Sequence, residues 1–387
     1  MKWLTDTDRR LIGLTLAVKL GVLLVGAIAY VTFRNATLDP MHALTIWNRW
    51  DAPHYLDIVV FGYRAIDNKD LFGPNGYRSV YPGDLPLYIV FFPLFPWLAT
   101  VVNVVLNNPV LSAFTVATIA SLFVAPLLYR LVRHDEEHEI ALRAAWFLLI
   151  FPTAYFLHIG YTEALFIALV LASFLLARNE RWWLAGLAGG LAALTRVNGL
   201  VLIPALGAEA FTQWLQRPPG ERRLRVEWLA IGLVAVGFGL YIGLNQVVYG
   251  EPFAFLRIQH DHWYKSLAPP WVGIASVWGW TSTADLDNRL MIGWMELLFI
   301  MIGLVGTIHA ALRFRPSWFA WMAGNWLLFV STSFVVSVPR YSLTLFPLYV
   351  SLALASRRTW MLVAISALSL VGLIYFAGRF ATGVWAF

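Results

Sequence analysis

Long apolar segments separated by short arginine clusters dominate this sequence. The first segment, residues 11–33, is longer than the 7–15-residue apolar core of a secretory signal, and further runs long enough to cross a bilayer follow it. Apolar residues make up 59% of the chain and charged residues 13%, whereas soluble domains carry roughly 25% charged residues. A water-soluble fold could not bury so much apolar surface. The sequence therefore predicts an all-α integral membrane protein.

The basic residues indicate which loops face the cytoplasm. The net charge of +6 does not indicate nucleic-acid binding, because the arginines stand between apolar runs, as the positive-inside bias requires. The clusters are Lys2/Arg9/Arg10, Arg130/Arg133/Arg143, Arg178/Arg181, Arg217/Arg222/Arg223/Arg225, Arg313/Arg315 and Arg357/Arg358. If all are cytoplasmic, an even number of crossings separates each neighbouring pair. The chain contains no cysteine, which excludes disulfides and thiol chemistry.

This parity resolves two ambiguous segments. Three apolar runs, 11–33, 86–106 and 109–129, precede the second cluster, so one of them does not cross. The run 86–106 carries three prolines, which interrupt helical hydrogen bonding, and we interpret it as an interfacial helix. The run 182–216 is long enough for two short spans if it breaks at Thr195–Gly199. The prediction is about eleven transmembrane helices in one polytopic domain over residues 1–387.

In this topology two long loops face outwards, residues 34–108 with interfacial helices and residues 250–289. No soluble domain or regular repeat is evident in the sequence. The unusual polar groups then fall on the outer side, although they were not used to set the topology. They are Asp51, His54, Asp57, His158, Glu163, Arg196, Asn198, His260, Asp261, His262 and Arg340. The sequence therefore predicts a site that faces outwards.

The stretch "WNRWDAPHYLDIVVFGY", residues 47–63, is the strongest candidate for chemistry. Asp51 could simply cap a helix in which Pro53 occupies an early position. Against that reading, the aromatic side chains of Trp47, Trp50 and Tyr55 crowd the same segment. A carboxylate at a membrane edge is costly unless it is paired or used. Sugar transfer to a hydroxyl needs such a base, cations for the departing phosphate and rings that stack on the sugar.

Several other polar residues have a structural alternative. Glu163 could favour the dipole at a helix start, and Arg196 could contact lipid headgroups instead of a donor phosphate. Lys19, inside the first span, could reach the cytoplasm or pack on another helix. Glu296 could make a helix–helix hydrogen bond or line the site. The other open assignments are Asp57 as a helix-face partner of His54, His158 as an interfacial histidine, and His260, Asp261 and His262 as metal ligands.

The order of several sequence words resembles a known family. The words are "RWDAPHYLDIVVFGY", "VYPGDLPLYIVFFPLFPWL", "FPTAYFLHIGYTEALFIALVLASFLLARNERWWLAGLAGGLAALTRVNGLVLIPAL", "EPFAFLRIQHDHW" and "PRYSLTLFPLY". In this order they resemble the GT-C superfamily of membrane glycosyltransferases, and most of all bacterial relatives of the PIG-V-type mannosyltransferases, the family of GPI mannosyltransferase II. The resemblance implies the GT-C fold and an inverting transfer from a polyprenyl- or dolichyl-phosphate-linked sugar, usually mannose.

The resemblance also assigns residues. It places Asp51 at the family's essential aspartate, Glu163 at the acidic position of a later outer loop, and Gln259 and His262 where donor phosphate or sugar is bound. It implies no cofactor and no metal. With Asp51 as general base, the predicted substrate-binding residues are Trp50, His54, Tyr55, Glu163, Arg196, Asn198, Gln259, His260, His262 and Arg340.

The predicted function is transfer of a sugar from a polyprenyl-phosphate donor to a hydroxyl on a lipid or glycan acceptor. It takes place at the outer face of the membrane, which we expect to be a bacterial plasma membrane. One alternative is a transporter or flippase of a lipid-linked glycan, which should place its ionisable groups near the bilayer midplane and often shows repeats. Another is a scaffold whose loops bind a partner enzyme. The clustering of ionisable groups in outer loops favours the enzyme.

Overall fold

The computed structural model describes residues 4–39, 43–64, 71–73, 76–79 and 85–387. Lys2 of the first basic cluster and the start of the "VYPGDLP" word lie outside these residues. The described chain consists of helices and loops, with a β-bridge that pairs Leu267 with Thr332. The all-α prediction is confirmed.

The helices are long where the sequence is continuously apolar and short around the candidate site. Their bounds are Asp6–Arg34 (α1), Ala52–Phe61 (α2), Leu94–Leu106 (α3), Pro109–Val132 (α4), His138–Leu149 (α5), Glu163–Arg178 (α6), Trp182–Thr195 (α7), Leu202–Gln216 (α8), Gly232–Tyr249 (α9), Ala254–Trp263 (α10), Pro270–Trp280 (α11), Leu286–Asn288 (α12), Met295–Arg313 (α13), Pro316–Val330 (α14), Val338–Ser342 (α15), Phe346–Ala355 (α16) and Thr359–Ala381 (α17).

Five helical segments in the described part of the chain are long and apolar enough to cross a membrane. They are Asp6–Arg34, Pro109–Val132, Val226–Tyr249, Leu286–Arg313 and Thr359–Ala381. A protein with these segments is an integral membrane protein. The number of eleven crossings, and the side that each loop faces, stay predictions.

Both ambiguous segments are broken where the sequence suggested. In the first, a 3₁₀ helix, Leu85–Val90, ends before Pro93, and α3 starts at Leu94. In the second, α7 ends at Thr195, a 3₁₀ turn follows and α8 begins at Leu202. The predicted break at Thr195–Gly199 is therefore confirmed. It leaves Arg196 between two helices with an extended backbone, φ −157° and ψ 146°.

In the bundle, α6 packs against α4 and α7, and α9 packs on α7 while most of its own surface stays exposed. Close approach of α7 to α9 depends on small residues. A Cβ atom built on Gly190 would lie 2.6 Å from the carbonyl oxygen of Leu233, and one on Gly237 would overlap the backbone of Gly190. Small residues allow this contact between membrane helices, where packing rather than water drives association. The contact fixes the helix at whose end Arg196 stands.

Candidate active site

Asp51 precedes α2 but does not cap it. Its backbone angles are φ −75° and ψ −25°, and its side chain accepts no hydrogen bond from the helix amides. The carboxylate oxygen Oδ2 instead accepts a hydrogen bond from Nη1 of Arg340 at 2.5 Å. Pro53 occupies an early position in the helix, where its missing N–H costs nothing. The capping alternative for Asp51 is therefore wrong.

Arg340 belongs to a chain of charges that links four segments of the sequence. Its Nε atom donates to Oε1 of Glu163 at 2.5 Å, and Nη1 of Arg196 donates to the same oxygen at 2.6 Å. Arg196 also donates to the hydroxyl of Thr162 at 2.9 Å. The order is Asp51–Arg340–Glu163–Arg196, with two negative and two positive groups. Buried charges persist only when they are paired in this way.

Exposure separates the two carboxylates. The side chain of Glu163 is fully buried at 0% exposure, whereas that of Asp51 is 30% exposed. Glu163 therefore bonds the two guanidinium groups from the buried side, away from the solvent. Asp51 is the carboxylate that a bound molecule can reach. In the described part of the chain, Oδ1 of Asp51 has no hydrogen-bond partner.

The electrostatic surroundings keep Asp51 ionised. Burial by itself would raise the pKa of the Asp51 carboxyl, but the guanidinium of Arg340 outweighs it, with smaller contributions from His54 and Arg196. The net result is a pKa below the ordinary value for aspartate. For Arg340, burial opposes the charged form while Glu163 and Asp51 favour it, and its pKa is raised. Both groups are charged at neutral pH.

A cavity of about 440 Å³ opens beside this charge chain. Six of the predicted site residues line it, and they come from segments far apart in the sequence. They are Asp51, Tyr55, Arg196, Asn198, Gln259 and Arg340. The convergence expected from the topology is therefore found in the fold: the start of α2, the break between α7 and α8, the helix α10 and the short helix α15 meet at one cavity.

Aromatic rings form part of the cavity walls. Phe91 lies edge-on to Tyr55, with ring centroids 5.1 Å apart, and Trp263 lies edge-on to Phe91 at 6.1 Å. Tyr341, next to Arg340, is also part of the lining. The sequence analysis did not single out Phe91, Trp263 or Tyr341, although all three lie inside the words that carry the family resemblance. Rings of this kind can stack on the apolar face of a sugar.

Lys265 is a further residue that the sequence analysis missed. It is half-buried, lines the cavity, and holds its ammonium group 5.7 Å from the ring centroid of Tyr341. Among the described residues, no carboxylate lies within ion-pair distance of it. The two arginines are paired with Asp51 and Glu163, so Lys265 is a cation of the lining that adds positive charge without an ion pair in the described part of the chain. Its only signal in the sequence was its place in the second long loop, residues 250–289.

Helical periodicity explains why His260 and His262 lie outside the cavity lining. Phe255, Gln259 and Trp263 line the cavity at intervals of four residues, and that spacing places them on one face of α10. His260 and His262 point elsewhere and are exposed, and Nδ1 of His260 lies 2.9 Å from Oδ1 of the adjacent Asp261. The segment was expected to be a loop, so this face could not be identified.

Two other predicted residues also stand outside the cavity lining. Trp50 packs edge-on against Trp385, with ring centroids 4.9 Å apart. His54 is buried and stacks on Phe91 at 4.9 Å, behind the cavity wall. His54 therefore supports the wall that Phe91 forms, and any contact of either residue with substrate stays a prediction.

Asp57 anchors the first long loop. It is fully buried and accepts hydrogen bonds from the hydroxyl groups of Tyr77, at 2.6 Å, Ser79 and Tyr88. These partners come from the loop that follows α2. Asp57 is thus a structural residue, as expected, but in the described part of the chain it bonds these hydroxyl groups rather than His54.

Lys19 and His158 meet outside the cavity lining. The ammonium of Lys19, in the middle of α1, donates to the carbonyl oxygen of His158 at 2.8 Å. Lys19 therefore packs against a neighbouring segment rather than reaching the cytoplasm. Burial, with a smaller contribution from Lys19, lowers the pKa of His158 to about 3, so its imidazole is neutral at physiological pH. This contact ties the first span to the loop that precedes Glu163.

Glu296, in α13, does not line the cavity but makes a helix–helix hydrogen bond to the start of α15. Its two carboxylate oxygens accept hydrogen bonds from the backbone amides of Ser337, at 2.6 Å, and Val338, at 2.7 Å. Ser337 has a φ of 72°, in the left-handed region, where a residue other than glycine needs support from its surroundings. Glu296 thus holds the turn that leads into Arg340.

A metal site is not evident in the described part of the chain, where no three histidine, aspartate or glutamate side chains lie close enough to hold an ion. The sequence had offered His260, Asp261 and His262 as possible metal ligands. All three are exposed, and His260 contacts the adjacent Asp261. Independence from metals and cofactors stays a prediction.

The chain is similar to known mannosyltransferases in sequence and to a solved membrane protein in fold. A family model described as dolichyl-phosphate-mannose-protein mannosyltransferase matches residues 86–238. GPI alpha-1,6-mannosyltransferase 2 of Mus musculus is 31% identical over 256 residues, which cover 58% of this chain and 47% of the mouse protein. ArnT from Cupriavidus metallidurans, solved with undecaprenyl phosphate, superimposes with a TM-score of 0.50 at 16% identity and covers 95% of this chain and 63% of ArnT.

The chain has the GT-C fold. The resemblance to GT-C membrane glycosyltransferases that the sequence words predicted is thereby confirmed. The oligosaccharyltransferase of Archaeoglobus fulgidus in its apo form aligns with a TM-score of 0.46 at 13% identity, over 95% of this chain and 56% of that protein. The GT-C chain spans about half the length of the mouse mannosyltransferase that it matches.

Proposed function

We propose that this protein is a membrane glycosyltransferase that takes a sugar, mannose, from a polyprenyl-phosphate carrier and transfers it to a hydroxyl group of a lipid or glycan acceptor. The observation that carries the proposal is the single cavity in which an accessible, ionised carboxylate lies beside cationic and aromatic side chains. Two comparisons support this choice of donor. The mouse relative is named a mannosyltransferase, and ArnT was solved with bound undecaprenyl phosphate.

The cavity residues suggest how the transfer would proceed. The acceptor hydroxyl donates to Oδ1 of Asp51 and attacks the anomeric carbon from the face opposite the carrier, which inverts its configuration. The new carbon–oxygen bond forms while the bond to the phosphate oxygen breaks, with its electron pair staying on the phosphate. The proton passes to Asp51. Because its pKa is low, Asp51 is a weak base and fits a reaction in which the proton leaves late, from an oxocarbenium-like transition state.

The remaining lining residues take roles that match their chemistry. Lys265 and Arg196 would stabilise the negative charge that develops on the leaving phosphate. Asn198 and Gln259 would hydrogen-bond sugar hydroxyls. The amide nitrogen of Asn198 donates to Oδ1 of Asn325 at 2.9 Å, a bond that fixes its orientation. Arg340 positions Asp51 and keeps it ionised.

We also propose that the whole chain acts as one GT-C domain, with the cavity open to the extracytoplasmic side of a bacterial plasma membrane. The arginine clusters at the opposite helix ends support this orientation through the positive-inside bias. A lipid-linked donor could then enter the cavity from the bilayer while the acceptor arrives from the aqueous face.

The test is sugar transfer by purified protein, with radiolabelled polyprenyl-phosphate mannose and a panel of lipid acceptors. Asp51→Asn should lower the transfer rate about 10²–10⁴-fold, the usual effect of losing a general base. The matched control is Asp261→Asn, an exposed carboxylate outside the cavity, which should transfer at the wild-type rate. Binding of polyprenyl phosphate by Asp51→Asn shows that the variant is folded.

Three other outcomes would count against the proposal. Equal rates for wild type and Asp51→Asn would reject Asp51 as the base. Transfer by neither protein with any acceptor, together with tight binding of the lipid-linked sugar, would favour the flippase alternative. No transfer and no binding would favour a scaffold.

A further inference from the structure

A second cavity, a groove of about 740 Å³, lies between α1, α5 and α17 and shares no lining residue with the candidate active site. These helices begin at Asp6, His138 and Thr359, and each contributes lining residues from its N-terminal half.

Polar and apolar lining residues are separated along the helices. The charged side chains, Arg10, Glu139 and Arg143, stand within the first two turns of α1 and α5. The lining of α17 runs from Leu362 to Leu370 and is apolar apart from Ser366, whose hydroxyl accepts a hydrogen bond from the indole of Trp146. These nine residues of helix cover about 13 Å, close to the roughly 15 Å that one leaflet contributes to the hydrocarbon core.

The charged end of the groove favours an anion. Arg10 is exposed and has no ion-pair partner among the described residues, and Arg143 is held by a hydrogen bond from its guanidinium to the carbonyl oxygen of Ser356. Glu139 stands in the first turn of α5, so its charge partly balances the amide groups of its own helix. The lining side chains carry a net charge of +1, from two arginines and one glutamate.

We propose that this groove binds one anionic glycerophospholipid, with its phosphate between Arg10 and Arg143 and one acyl chain along the apolar strip of α17. The groove opens on helices that the bilayer surrounds, so a lipid is the molecule that can reach it. Basic residues at the end of a groove between membrane helices select an acidic headgroup. The proposal is independent of the chemistry at the first cavity.

Native mass spectrometry of the full-length protein in detergent tests this proposal. The protein is titrated with dioleoyl phosphatidylglycerol or dioleoyl phosphatidylcholine, which differ only in the headgroup. We expect the first site to prefer phosphatidylglycerol. Arg10→Gln should weaken that binding about fivefold, and Arg10→Gln with Arg143→Gln about 25-fold, because one basic residue near a membrane surface contributes about 1 kcal/mol. Binding of phosphatidylcholine should not change.

The matched control is Arg223→Gln with Arg313→Gln, two exposed arginines that line neither cavity. It should bind phosphatidylglycerol like the wild type. Arg143 also holds Ser356, so the single variant Arg10→Gln tests the headgroup contact without that structural loss. Ala367→Trp, which fills the apolar strip, should weaken binding of both lipids. Equal affinity for the two lipids in the wild type, or an equal loss in the control, would overturn the proposal.

Discussion

Replacement of Arg340 by glutamine tests the charge chain that orders the candidate site. Arg340 is 5% exposed and bonds Asp51 and Glu163 at the same time. After the replacement, Glu163 keeps Arg196 as its partner, whereas Asp51 has no other arginine or lysine within ion-pair distance in the described part of the chain. The change therefore acts on Asp51 more than on Glu163.

The size of the effect follows from these contacts. Each hydrogen bond to a charged group contributes about 1.5–3 kcal/mol, so two bonds set an upper bound of about 6 kcal/mol. The side chain of Asp51 is 30% exposed and can regain water. We therefore expect the free energy of unfolding to fall by about 3–5 kcal/mol, as is typical when one partner of a buried ion pair is removed. Arg340→Lys keeps the charge but cannot span both carboxylates, so its loss should be about 1–3 kcal/mol.

Unfolding in detergent micelles, followed by tryptophan fluorescence, measures these losses. A double-mutant cycle with Glu163→Gln should give a coupling energy of about 0.5–3 kcal/mol, because the double variant no longer leaves Glu163 without Arg340. If the losses of unfolding free energy in the two single variants simply add in the double variant, the proposed coupling between Arg340 and Glu163 is refuted.

The same variants make a prediction about pH. The low pKa of Asp51 means that its charge stabilises the folded state above its unfolded pKa, about 3.9, and that this stability is lost as the pH falls through the folded value. Arg340→Gln raises the pKa of Asp51 and should therefore weaken this acid dependence. The acidic limb of the transfer rate should also move to higher pH. An unchanged limb would show that Asp51 does not titrate in the rate profile.

Three further predictions concern the surroundings of the cavity. Lys265→Gln should raise the KM for polyprenyl-phosphate mannose about tenfold with little change in stability, which steady-state kinetics would measure, since the ammonium is unpaired in the described structure. Glu296→Gln should destabilise the turn before Arg340 and lower kcat more than it raises KM, and Glu296→Asp should restore part of that loss if the carboxylate acts through its two amide contacts. Gly190→Leu should prevent α7 from packing on α9 and abolish correctly folded expression, whereas Gly207→Leu, which has open space around it, should be tolerated.

The sequence predicted the helices well because membrane insertion leaves a direct signal. Apolar runs located the long helices, and the polar break at Thr195–Gly199 located the 3₁₀ turn between α7 and α8. Within the candidate site, Asp51, Arg196 and Arg340 could be singled out because charges among apolar segments are costly unless they have a partner or a function.

The partners themselves could not be predicted. Glu296 and Ser337 are 41 residues apart, and Asp51 and Arg340 are 289 apart, so only the fold brings them together. Lys265 and Trp263 were missed for a different reason. The segment 250–289 was expected to be a loop because α10 is polar on average, so the helical spacing of its apolar residues was not used and His260 and His262 were favoured over their neighbours.

The central claim, that an outward-facing cavity holds the lipid-linked donor, can be tested with a single cysteine, because the natural chain contains none. Gln259→Cys places a thiol in the cavity lining, and Arg223→Cys places one in a basic cluster that is predicted to be cytoplasmic, as the control. In intact cells, a membrane-impermeant maleimide should label Gln259→Cys but not Arg223→Cys, and in purified protein polyprenyl-phosphate mannose should slow the labelling of Gln259→Cys. Labelling of Gln259→Cys only after the membrane is opened, or at a rate that the donor does not change, would contradict the account.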